Sequence, residues 1–385
     1  MADSVLQDYI QWRGDLSYEQ DPFNAVDNAV LCELSYVDFS KVLKHSSPDP
    51  VSLKDAYNEI KKKKCFRLMT AVPGKEDFVA EAAKSKRFGE MKLTFFNETF
   101  DHDTTQFAAI HFELTPTLSY IAFRGTDNSI IGWKEDFMMS FQRIPAQKKA
   151  VYYLVGTMND KKEYFVGGHS KGGNLAVYAV SYLTNELQKR IRRVYVNDGP
   201  GFSPDVYDME RIGRIEPLVT RIAPEYDIIG QLFNRGVENK TRFVRSTEKG
   251  ILQHDLVSWR VKGNRFDFAP EMDASAKFIC GALNDWIEKA DEAGRKAFVN
   301  ALFASFSVRN AVHFDDLNVW AFPEVLKTLM EASPEAKNVA MELPKSYLNA
   351  AKKQISEYLT TTVEEAIAAS QKNKQAEETD KENHL

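Results

Sequence analysis

The chain has little cysteine, no pronounced charge and no long apolar run, and each absence removes a class of protein. Three cysteines in 385 residues, Cys32, Cys65 and Cys280, lie far apart and lack metal-ligand spacing. They read as buried reduced thiols, not as a disulfide framework or a zinc site. A net charge of −5 gives no electrostatic footprint for nucleic acid. The cluster Lys61-Lys62-Lys63-Lys64 is read as a solvated helix end. No stretch is long and apolar enough to span a bilayer, and the opening Met1-Ala2-Asp3-Ser4-Val5 has neither a basic nor an apolar leader. A cytoplasmic protein is the expectation. No internal repeat is apparent, and no metal or other cofactor is expected.

What the chain does have is a change of pattern along its length. Phe23, Val26, Val30 and Leu34 form one apolar helical face after Pro22, and helix-like segments follow around Leu53–Ile60 and Glu76–Lys86. Met91–Thr99, Gln106–Leu114 and Leu118–Phe123 are rich in β-branched and aromatic residues, the first two spaced to pair with each other. Beyond them, short apolar runs at Tyr164–Val166, Val194–Val196, Leu218–Ile222 and Thr241–Val244 alternate with helical stretches. That alternation predicts a mostly parallel sheet covered by helices on both faces. Strand signals vanish from about Pro270, so residues 1–269 are expected to form an α/β core with N-terminal helices. Residues 270–370 are read as amphipathic helices packed on that core, and the polar, aromatic-free stretch 371–385 as a disordered tail.

The stretch Gly167-Gly168-His169-Ser170-Lys171-Gly172-Gly173 stands between the apolar run Tyr164-Phe165-Val166 and the helix-like Asn174–Val180. A G-x-S-x-G pattern between strand and helix describes a turn sharp enough to expose a serine hydroxyl at the strand end. Out of that setting the same residues would be an ordinary glycine-rich turn with a capping serine. A serine hydroxyl needs a histidine base, and the histidine needs a carboxylate to orient it. His254, His313 and His384 follow Ser170; His254 lies shortly after the strand Thr241–Val244 and is the best base. Asp227, after the strand Leu218–Ile222, is the favoured acid, with Asp198, at the end of Val194–Val196, as its rival. Asp255 and Asp205 are weaker candidates, and His169 is read as a packing residue. The backbone N–H of Lys171 is one candidate oxyanion donor, and Thr126, in the Arg124-Gly125-Thr126 turn, is the second.

Phe123-Arg124-Gly125-Thr126, then Trp133 and Asp136, Gly168-His169-Ser170-Lys171-Gly172-Gly173, Tyr226-Asp227-Ile228-Ile229 and His254 together resemble the class 3 lipase group of α/β-hydrolases, in particular a bacterial lipase-like branch. The likeness runs from about Phe23 to Trp259. It implies an α/β-hydrolase fold, Ser170, Asp227 and His254 as the catalytic residues, and Thr126 with Lys171 as the oxyanion hole. The chain departs from the group in placing Ile228-Ile229-Gly230 after Asp227, where a valine-proline pair is usual. It also lacks the signal peptide and disulfides of the secreted members, so bulk extracellular triglyceride is not the expected substrate.

The expected activity is hydrolysis of a carboxylic ester, from a small-molecule or lipid substrate, through an acyl-enzyme. Thioesterases, phospholipases and acyltransferases use the same groups. The alternative of another class is a hydrolase-fold binding or regulatory protein without turnover; a pure binding module would have no physical need for serine, histidine, acid and oxyanion loop together. Met138, Met139 and Phe141 lie where the group places a lid and suit either an acyl-chain contact or a core helix. Arg143, Lys148 and Lys149 form a basic turn suited to transient contact with a membrane surface or simply to solvent.

Overall fold

The computed structural model describes residues 4–69, 75–101, 105–126, 138–139, 142–233 and 240–277, together with 280, 281, 284 and 295. Eight strands form one sheet in chain order: β1 (Val51–Ser52), β2 (Lys92–Asp101), β3 (Thr105–Thr115), β4 (Leu118–Phe123), β5 (Glu163–His169), β6 (Ile191–Asn197), β7 (Val219–Pro224) and β8 (Thr241–Val244). The first four pair antiparallel, while β4 through β8 pair parallel. Among the described residues no helix is long and apolar enough to cross a membrane.

Every parallel step moves one place in the same direction, so crossovers of one hand deliver their helices to one face. Helices Pro145–Thr157, Lys171–Ser181 and Met209–Ile215 occupy that face and share a core with Ile121, Phe123, Val166, Val194 and Val196. The opposite face would lie bare. Helices Leu6–Arg13, Ala25–Leu34, Leu53–Lys63 and Glu76–Lys84 cover it, packing on Ile110, Phe112, Tyr120, Ala122 and Tyr195. The two cores divide each strand by alternate residues, as the pleat requires. A buried ion pair fastens the N-terminal layer: Arg87 donates from Nε and Nη2 to the two carboxylate oxygens of Asp27, at 2.7 and 2.5 Å.

Strands β2 through β8 fall where the sequence pattern puts them, β1 is an added two-residue edge, and the sheet carries helices on both faces as expected. Two helices, Leu6–Arg13 and Pro145–Thr157, form where the pattern gave no signal. Cys32 and Cys280 are buried free thiols, whereas Cys65 is only half-buried. The start of the C-terminal segment packs on the core: Asn284 donates to the carbonyl of Gln231 at 2.9 Å and accepts from the N–H of Phe233 at 3.1 Å. Most of the expected helices beyond residue 277, the tail 371–385, Trp133, Asp136, Phe141, His313 and His384 lie outside the described residues.

Candidate active site

Ser170 sits between the end of β5 and the helix Lys171–Ser181, at φ 55° and ψ −128°. A non-glycine residue reaches positive φ only where its surroundings enforce it. Here the enforcement is close packing. A Cβ on Gly168 would stand 2.2 Å from the backbone of Gly172, and one on Gly172 would stand 2.0 Å from the carbonyl oxygen of Phe123. The elbow helix thus presses directly on β4. The N–H of Ser170 donates to the carbonyl of Asn197 at 2.9 Å, and the Asn197 amide donates to the carbonyl of Gly168 at 3.2 Å. Asn197 is held in turn by Asn28, which donates to its Oδ1 at 2.8 Å and itself accepts from Tyr120 at 2.7 Å. A buried polar cluster therefore fixes the turn from below.

His254 closes the short 3-10 turn Gly250–His254 that follows β8. Its Nδ1–H donates to Oδ2 of Asp198 at 2.6 Å. The expected orienting acid was Asp227; the structure gives this contact to its rival instead. Asp198 directly follows β6 in a left-handed conformation, φ 50°, with its N–H bonded to the carbonyl of Ile222 at 2.8 Å. Asp227, on the loop after β7, is fully buried. It accepts from the N–H of Gly230 at 2.7 Å and from Nε2 of Gln231 at 2.6 Å.

Both carboxyls are pushed up. Burial is the main cause for each: it takes Asp198 to about 6, against the hydrogen bonds from Asp227 and Gly230, and it lifts Asp227 well above the usual carboxylate range, with the charge of Asp198 adding to the effect.

His169 is more than packing. Its Nε2 lies 2.8 Å from the carbonyl oxygen of His254 and its Nδ1 lies 2.9 Å from the Tyr36 hydroxyl. A carbonyl only accepts, so Nε2 carries the proton and donates, and Nδ1 accepts from Tyr36. Burial, with the neighbouring His254 ring second, lowers His169 well below its ordinary range and keeps it in this neutral form. The two imidazole rings lie 4.4 Å apart. His169 thereby fixes the backbone of the turn that carries His254. Asp255 points away from the histidine to Lys75 Nζ, at 2.6 Å.

The candidate oxyanion residues border the serine. Lys171 is the first residue of the elbow helix, and its side chain is buried. Gly125 lies so close that a Cβ there would stand 3.4 Å from Cβ of Ser170 and 2.3 Å from the Tyr36 hydroxyl, which brings the Thr126 turn to Ser170. Met139, by contrast, is fully buried in the core beneath the helices, and its carbonyl accepts from the Tyr207 hydroxyl. The burial at this position agrees with the core reading. Arg143 donates to the carbonyl of Val206 at 3.1 Å, and Lys148 lies over the Tyr152 ring.

Tyr36, Asn28 and Lys75 carried no signal in the sequence, because the partners His169, Asn197 and Asp255 that tie them to the site lie more than a hundred residues away in the chain. Asp198 did carry one, as the residue ending a strand beside the elbow. Among the described residues no group of histidine, cysteine and carboxylate side chains could hold a metal ion.

A family model described as Mbeg1-like matches residues 82–304, a span that includes the elbow, both carboxyls and His254. No curated protein sequence matches the chain. Among solved structures, one titled "Crystal structure of M37 lipase" is similar over 56% of this chain and 72% of its own, at 19% identity and a TM-score of 0.33.

Proposed function

From the chain's membership of the Mbeg1-like family, a lipase-like family, and from the site above, we propose that this protein is a serine hydrolase that cleaves a carboxylic ester through an acyl-enzyme. Ser170 is the nucleophile, His254 its base and Asp198 the orienting acid. The observation that carries the reading is the backbone of Ser170: a buried non-glycine residue held at φ 55°, ψ −128° between a strand and a helix N-terminus. Strain of this kind costs on the order of 1–3 kcal/mol and persists where the surroundings over-determine it, commonly at reactive groups.

In the proposed cycle the Ser170 hydroxyl attacks the ester carbonyl and passes its proton to Nε2 of His254. Asp198 keeps Nδ1 protonated and stabilises the imidazolium that forms. The N–H of Lys171, aided by the positive end of the elbow helix, and Thr126 receive the oxyanion. Collapse expels the alcohol, which takes the proton from His254, and water then releases the acid by the same steps in reverse.

Treatment with a fluorophosphonate followed by intact-mass and peptide analysis tests the assignment. One adduct on Ser170, absent from Ser170→Ala, is expected; an adduct on a different serine, or none, would overturn it. A series of p-nitrophenyl esters of increasing acyl length then identifies the preferred substrate.

A further inference from the structure

The acid of the site is not one carboxyl but two. Asp198 and Asp227 come from the ends of adjacent parallel strands, and the single N–H of Gly230 forks to Oδ1 of both, at 3.0 and 2.7 Å. The shared donor sets the two carboxyls against each other. A Cβ on Gly230 would stand 2.6 Å from Oδ1 of Asp198 and 2.8 Å from Oδ2 of Asp227, so only glycine fits between them. Both side chains are essentially without solvent contact. Two ionised carboxylates on one donor repel each other, and burial without a cation makes a double negative charge costly. Among the described residues neither is bonded to a lysine or arginine. The pair therefore shares one proton.

The hydrogen bonds place that proton. Asp198 accepts from Nδ1–H of His254 and needs its charge there. We propose that Asp227 is a positioning residue: as a neutral carboxylic acid it donates its O–H to Asp198, keeping Asp198 ionised and aimed at His254. The proposal rests on the Ser170–His254–Asp198 reading above. The groups facing the pair are the His254 imidazole on one side and Cys280 on the other. Cys280 donates to the backbone carbonyl of Asp227 at 3.2 Å, and its thiol is pushed up by burial, then by the two carboxyls. No cation is thus available to replace the proton among the described neighbours.

The pair is tested by substitution, pH profile and infrared spectroscopy of the full chain. Asp198→Asn should lose about 10⁴-fold in kcat, the loss expected when a triad's orienting carboxylate is neutralised. Asp227→Asn should stay within about tenfold of the wild type, because its amide donates where the acid O–H did and Gly230 keeps Asp198 as acceptor. Asp227→Ala removes the donor and leaves Asp198 more basic. The acidic limb of its kcat/KM profile should move to higher pH, where a loss of packing alone would lower the profile without moving it. Infrared difference spectra at neutral pH should show the carbonyl stretch of a buried neutral carboxyl in the wild type and not in Asp227→Asn.

Asp227→Asn falling as far as Asp198→Asn would make Asp227 the orienting carboxylate and overturn the proposal. So would an unmoved acidic limb in Asp227→Ala with no Asp227-dependent band. The band reports the proton independently of turnover. A wild-type chain that shows it but does not react with fluorophosphonate would support the shared proton and overturn the ester-hydrolase reading alone.

Discussion

Asp198 carries a stability cost that comes from its burial. Burial pushes its carboxyl from 3.8 to about 6, against the hydrogen bonds from Asp227 and Gly230. Between those values the folded chain binds a proton that the unfolded chain has released, so stability falls as pH rises through the window and stays lower above it. A rise of that size corresponds to about 3 kcal/mol. Asp198→Asn cannot titrate and should melt higher than the wild type at pH 8, with the gain disappearing near pH 4, even though the proposed triad has lost its carboxylate. Melting curves at the two pH values check this; an equal gain at both would assign the effect to packing. The same residue marks the limit of legibility at this scale. Strand order in the sequence names the loops after β6 and β7 as the two places for an acid. Which carboxyl reaches the histidine depends on the left-handed backbone of Asp198, φ 50°, and on the forked Gly230 contact, and neither is written in a residue type.

The elements were legible wherever one face of a strand or helix differs from the other. Strands β2 through β8 announce themselves by β-branched and aromatic runs between turn residues. Helix Pro145–Thr157 does not, because its buried side includes Ala146, Gln147 and Ala150 while Tyr152 and Val155 are exposed, which blurs the helical period. Glycine acts differently in the two helices that flank the elbow. A Cβ on Gly172 would lie 2.0 Å from the Phe123 carbonyl oxygen, whereas one on Gly156 would meet nothing within 4 Å. Gly172→Ala must push the elbow helix off β4 and should cost about 1–3 kcal/mol, as overpacking does, while slowing fluorophosphonate labelling of Ser170. Gly156→Ala should be neutral to stabilising by up to about 1 kcal/mol, from helix propensity alone. Urea unfolding of both variants checks the contrast, and equal effects would mean that the close approach does not set the position of the elbow.

At the scale of the whole molecule, the N-terminal layer both covers a sheet face and supports the site. It supplies Asn28 and Tyr36, which hold the elbow and His169, and Glu33, which joins a buried ion cluster with Lys75 and Asp255. Lys75 Nζ lies 2.9 Å from Glu33 and 2.6 Å from Asp255, the residue after His254, so one ammonium ties the helix Ala25–Leu34 to the turn that carries His254. Burial alone would lower Lys75, but the two carboxylates outweigh it and hold it above its ordinary value; burial raises Glu33 in turn. None of this was legible along the chain, since each member is an ordinary charged residue until the fold removes it from water. Lys75→Met leaves two carboxylates without their cation and should cost about 3–5 kcal/mol at neutral pH. Protonation of Glu33 offers the variant an escape, so its deficit should shrink as pH falls toward 5, the direction expected for an acid raised in the folded state. Replacing the partner as well, in Lys75→Met/Glu33→Leu, removes one of the stranded charges and should recover most of the stability. If the cluster also positions the turn, the double variant should regain its melting temperature and still label slowly at Ser170, because Asp255 has lost the contact that anchored it. Full recovery of labelling together with stability would confine the ion cluster to holding the N-terminal layer in place.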